Sequence, residues 1–135
     1  MLTIDLGAFK PGAIYQLRRM FEAYGAAPFR EPVRQTFDAL AGIFDGEAMR
    51  RLSAPGAPGG RLEIGLPMWL DCTEVEMRTL RAWFVEWRNG FAELDPVVAG
   101  LFDDLAGLMA DALRQRASTA RDLAHVFWRE EAGNV

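Results

Sequence analysis

The sequence predicts a mainly α-helical domain with a small two-stranded antiparallel sheet, assembled from a duplicated strand-helix-helix unit and a C-terminal helix. Three observations predict it: alternating apolar and polar residues at positions 2–6 and 62–66, helical periodicity over most of the remainder, and a series of matches between the two halves. The whole of 1–135 reads as one domain, with repeat units 2–52 and 62–111, a connector at 53–60 and a C-terminal helix over 111–131.

The duplication is read by subtraction. Leu2, Ile4 and Leu6 match Leu62, Ile64 and Leu66 at an offset of 60. Leu17-Arg18, Phe21 and Tyr24 match Leu80-Arg81, Phe84 and Trp87 at 63, and Pro32-Val33 matches Pro96-Val97 at 64. The run from Phe37 to Phe44 matches that from Phe102 to Met109 at 65. Offsets that only grow are what small insertions in a duplicated unit produce.

Each unit opens on a period-2 segment, the pattern of a strand with one buried face. The first helix of unit one carries the stripe Ile14, Leu17, Phe21 and Tyr24, with Pro11 near its start and Gly25 at its end, where helices favour them. Its counterpart carries Met77, Leu80, Phe84 and Trp87, with Thr73 as N-cap and Glu76 at the capping-box position. The second helices begin at Pro32 and Pro96 and bury Val33, Phe37, Leu40 and Phe44 in one unit, and Val97, Leu101, Leu105 and Leu108 in the other. Gly42 and Gly107 inside them suggest close helix approach. Two prolines and three glycines in Ser53-Ala54-Pro55-Gly56-Ala57-Pro58-Gly59-Gly60 read as a flexible connector. Beyond unit two the apolar pattern runs on through Leu113, Ala117, Ala120, Ala124 and Phe127 to Trp128, so the last helix extends or bends into a C-terminal one. The two strands are expected to pair antiparallel about a pseudo-twofold axis.

Half of the residues are hydrophobic and 11% aromatic, enough for one sizeable core in 135 residues. The formal charge of −4 opposes binding to phosphate backbones and anionic lipid. Of the 15 basic residues only Lys10 is a lysine, which favours bidentate carboxylate pairing. A single cysteine, Cys72, rules out an intrachain disulfide, and no stretch approaches the roughly 20 apolar residues of a bilayer span. The opening residues lack the basic start and apolar run of a signal peptide, so a reducing cytoplasm is the expected location.

The order strand, helix, helix, with a strand reading Leu-x-Ile-x-Leu and followed in the second unit by Pro67, resembles the ribbon-helix-helix proteins. Two units on one chain resemble a fused dimer of that family, which implies a strand ribbon entering the DNA major groove. The outward strand positions here are Thr3 and Asp5, and Glu63 and Gly65, where the family presents basic or amide groups. Those carboxylates oppose a groove lined by phosphate, so nucleic acid is an unfavoured partner.

Catalytic and metal chemistries find little support. His125 is the single histidine, so it and Cys72 cannot complete a zinc site within one chain. Ser53 lies in the connector and Ser118 is seven residues from His125, about 10 Å along a helix, which suits no hydrolytic pair. Asp103-Asp104 and Glu130-Glu131 point about 100° apart on a helix and read as solvated faces. No glycine-rich phosphate loop precedes a helix. No catalytic residue, cofactor or metal is expected.

Two features remain. Arg78, Arg81 and Arg88 share one side of the first helix of unit two, with Arg18 equivalent to Arg81, although Glu74 to Arg78 is also the favourable order for an intrahelical pair. Of four tryptophans, Trp83 and Trp87 lie on the apolar stripe, whereas Trp69 and Trp128, at element ends, are candidate anchors together with Phe127. The expected function is a non-enzymatic interaction module, an adaptor, inhibitor or regulatory subunit acting through a helical face on another protein or a second copy. A ribbon-helix-helix DNA regulator and a small-molecule binder or enzyme with an inter-helix pocket are the alternatives.

Overall fold

A computed structural model describes residues 2–57 and 59–133, with side-chain surroundings through Arg121 and at Leu123. The order is β1 (Leu2–Asp5), a 3-10 turn (Leu6–Ala8), α1 (Pro11–Gly25), α2 (Glu31–Ser53), β2 (Arg61–Ile64), a second 3-10 turn (Pro67–Asp71), α3 (Glu74–Phe91) and α4 (Pro96–Gly133). The fold is therefore mainly helical with one two-stranded antiparallel sheet, and its element order is the same twice over.

The ribbon pairs Leu2 with Ile64, Thr3 with Glu63 and Ile4 with Leu62. Thr3 and Glu63 are equivalent positions, so the pairing is symmetric about its own centre, as a local twofold requires. α1 and α3 start 63 residues apart and α2 and α4 start 65 apart. The buried residues keep the same spacings: Ile14, Leu17 and Phe21 correspond to Met77, Leu80 and Phe84, and Val33, Phe37, Leu40 and Phe44 to Val98, Phe102, Leu105 and Met109.

That last correspondence corrects the stripe expected for α4. Aligning the two prolines matches Val33 with Val97, yet Val97 is 38% exposed and Val98 is buried. α2 begins at Glu31, one residue before its proline, whereas α4 begins at Pro96, and this slip of one residue puts Val98 where Val33 stands, while Leu101 and Leu105 of the expected stripe are buried. Leu108 is accordingly half-buried while Met109 carries the core contact. Asp95 caps α4, its Oδ1 accepting from the Val97 and Val98 amides at 3.2 and 3.3 Å. The expected capping box at α3 is present, Thr73 Oγ1 accepting from Glu76 N at 3.1 Å and Glu76 Oε1 from Thr73 N at 2.8 Å.

The mid-helix glycines also depart from expectation. Gly42 and Gly107 are exposed and have open space where a Cβ would stand, so neither marks a helix crossing. Close approach occurs elsewhere, where Gly59 of the connector lies backbone against backbone on Gly7 of the first turn. The connector is tied down at further points: Ala57 N donates to Ala54 O, Arg50 Nη1 to Ala57 O, and Leu6 N to Gly60 O at 3.1 Å.

Between the units lies a continuous aromatic core. Phe21 packs on Phe102 from the other unit, Tyr24 on Trp83 and Trp87, and Phe37 on Phe84 and Trp87, with ring centroids 5.0–6.4 Å apart. Trp83 and Trp87 thus join the core, as their place on the stripe predicts. No helix among the described residues is long and apolar enough to cross a membrane.

The two units differ at the strands and at their ends. Leu2 is 4% exposed but its counterpart Leu62 is 36% exposed. α2 stops at Ser53, whereas α4 continues unbroken with 38 residues against 23. No separate C-terminal helix begins near residue 111. Fifteen residues, 119–133, overhang the duplicated unit, about 22 Å at 1.5 Å per residue.

Candidate functional site

Each unit holds its 3-10 turn with one arginine from its second helix. Arg51 Nη2 donates to the Leu6 and Phe9 carbonyls, both at 2.9 Å. At the equivalent place Arg116 donates through Nη1 to Cys72 O at 2.6 Å and through Nη2 to Leu70 O at 3.1 Å. Such a clamp satisfies carbonyls that the short turn leaves without ladder partners. Nothing in apolar periodicity signals it, although the 65-residue spacing of the two arginines does once the repeat is known.

Around the clamps the units diverge. In unit one Glu47 is buried and accepts from Arg50 Nη2 at 2.7 Å and from Arg51 Nε at 2.9 Å. The Arg50 hydrogen bond, reinforced by Arg51, outweighs burial and holds the Glu47 carboxyl down at about 2. The connector turns back beside this end, where Ala54, Pro55, Ala57 and Gly59 line an open space of about 310 Å³ with Phe9 and the two arginines. In unit two the positions of Glu47 and Arg50 are taken by Ala112 and Gln115, and the chain runs on as helix instead of turning back.

The result is a groove along α4. One end, about 260 Å³, lies between Ile64, Leu66 and Trp69 on one side and Leu108 and Ala112 on the other. It continues into a space of about 470 Å³ between Trp69, Leu70 and Met77 and the α4 residues Ala112, Thr119, Ala120 and Leu123. The walls are mostly apolar, and the rim is exposed: Leu70 is 79% and Leu123 66% exposed. Of the expected apolar face of the last helix, Leu113 packs against the core while Ala117 and Ala120 are exposed.

The structure scatters most of the residues singled out for contact. Arg78 pairs with Glu74 on its own helix, and Arg88 crosses to Asp103 of α4 at 2.9 Å. Arg18 lies 3.5 Å from Asp45 of α2 and 3.8 Å from Glu22, with its guanidinium over Tyr15. Arg81 is exposed, and the Arg18 partners Glu22 and Asp45 correspond to Val85 and Ala110 in its unit. Three of the four arginines therefore serve internal pairs, and no common guanidinium face survives. Trp69 is only 7% exposed, yet it forms the floor shared by both parts of the groove, and its buried indole Nε1 has no hydrogen-bond partner among the described residues. Phe127 and Trp128 fall on α4 with side chains outside the described ones, as does His125. Sequence reading missed Leu70, exposed in a short turn with no periodicity to mark it.

Other chemistries are thinly provided. The Cys72 thiol is buried, which pushes its pKa up, and it faces the Met68 carbonyl at 3.9 Å. Asp104 is raised by burial and by neighbouring Asp103, which is itself paired to Arg88. Among the described residues no group of three or more His, Cys, Asp or Glu side chains is placed to hold a metal ion. On the exposed ribbon face Asp5 stands opposite Arg61 and Thr3 opposite Glu63. In comparison with known proteins, no family model, no curated protein and no solved structure matches the chain.

Proposed function

We propose that this chain is a non-enzymatic interaction module that binds another protein chain through the groove along α4. The observation that carries the reading is an apolar groove whose rim residues are largely exposed, Leu70 on the second turn and Leu123 on the helix that outruns its counterpart. Exposed apolar surface of this continuity marks interfaces more often than it is left in water. The site is long and open at the side, which suits a helix or an extended segment better than a small molecule. Asp5 and Glu63 on the ribbon weigh against duplex DNA as the partner. A reducing compartment such as the cytoplasm suits a single unpaired thiol.

The test is site-specific photo-crosslinking in the native host. A photoreactive residue at Leu70 or Leu123 is expected to give a discrete protein adduct. The same group at Leu94, 76% exposed in the loop between α3 and α4, is expected to give none. Equal labelling from all three positions, or no adduct from the groove, overturns the reading.

A further inference from the structure

Resting on that reading, we propose that the occupant of the groove is the α4 overhang of a second copy of this chain, running antiparallel to the α4 that lines the groove. Length supports it. The groove follows α4 over residues 108–123, about 24 Å, and the overhang spans 119–133, about 22 Å. Groove and overhang lie on one helix, so a single twofold that seats one overhang in the partner's groove seats the other reciprocally. The dimer closes on itself, each groove taking one overhang. Exposed Ala117 and Ala120 allow two helix backbones to come close, and Leu123 sits near the centre of the paired stretch.

Charge fixes the direction. Residues 111–122 hold Arg114, Arg116 and Arg121 against Asp111 and Asp122, whereas residues 123–133 hold Glu130 and Glu131 against Arg129. The first stretch is net positive by one and the second net negative by one. An antiparallel pair about Leu123 sets Arg114, nine residues before it, opposite Glu131, eight after it. A parallel pair would set like stretches side by side.

Light scattering and sedimentation equilibrium on the full chain over a concentration series test this, with circular dichroism to confirm folding. The wild type is expected to be a dimer. Leu123→Glu and Leu70→Glu alter exposed positions and are expected to weaken dimerisation by about tenfold or more with the helical signal unchanged. Arg114→Glu, whose only described partner is Asp111 on the same helix, is expected to weaken it several-fold, and adding Glu131→Arg to restore it. A wild-type chain that stays monomeric at high micromolar concentration overturns the second-copy proposal, while the crosslinking test still decides whether the groove binds another protein. A dimer indifferent to the groove variants, or an Arg114→Glu defect that Glu131→Arg deepens, also overturns it.

Discussion

Glu47 is a carboxylate on the buried face of α2, stable there because Arg50 and Arg51 both reach it and Arg51 goes on to hold two carbonyls at the first turn. Replacing one partner of such a cluster leaves buried charge uncompensated, so Glu47→Gln is expected to cost about 2–3 kcal/mol in denaturant unfolding at neutral pH. The Glu47 carboxyl is lowered from 4.5 to about 2, so its contribution is complete above about pH 5 and is lost as pH falls toward 2. Stability should drop by about 3 kcal/mol from this group over that window, and Glu47→Gln should flatten the profile by that amount. Glycines make a second pair of expectations with opposite signs. Gly42→Ala and Gly107→Ala meet open space in helix interiors and should each stabilise by about 1 kcal/mol, while Gly59→Ala forces a methyl into the Gly7 backbone and should destabilise by about 1–3 kcal/mol. Thermal melts separate the three. None of these roles was legible in the sequence, because a glycine in a helix and a glutamate three residues before an arginine look alike whether buried or solvated.

At the scale of elements, what a local pattern encodes was readable: the strands, the first-helix stripes, the capping box at Thr73 and the prolines that open α2 and α4. What depends on how elements meet was not. β1 and β2 have the same alternation, yet only β1 is buried on its apolar side. The candidate site was half legible, since Trp69 and the unmatched last helix stood out, but the arginine face dissolved into pairs with Glu74, Asp103 and Asp45 that cross between elements or turns. The structure also relocates the boundary of the last helix. Ala112 and Leu113 pack on the core and Arg116 clamps the second turn, so a chain ending at residue 111 loses structural contacts. A chain ending at Ser118, where α2 ends in the repeat, should keep its melting temperature within a few degrees while losing groove adducts. A truncation at Ser118 that unfolds the domain would place the overhang within the cooperative core.

For the whole molecule, the repeated element order raises the question of whether each unit is a domain in its own right. The packing argues against it. The sheet consists of one strand from each unit, and a lone four-residue strand has no ladder partner. Aromatic rings pack across the boundary: buried Phe21 on Phe102 and Phe37 on Phe84, and half-buried Tyr24 on Trp83 and Trp87. Arg30 before α2 also donates to Glu76 in the first turn of α3 and to the Asp71 carbonyl at the end of the second 3-10 turn, at 2.8 and 2.7 Å. Cutting the chain therefore exposes one face of a core that neither half can cover. The full chain should unfold in a single transition with coincident fluorescence and circular dichroism curves. Separate fragments 1–57 and 58–135 should each lack fixed near-ultraviolet signals, and an equimolar mixture should recover the helical spectrum, because the connector between them forms only a few of the contacts that join the units. Should fragment 1–57 melt cooperatively alone at a concentration too low for it to pair with itself, the two repeats would be independent domains and the shared aromatic core would be an interface, not a folding unit.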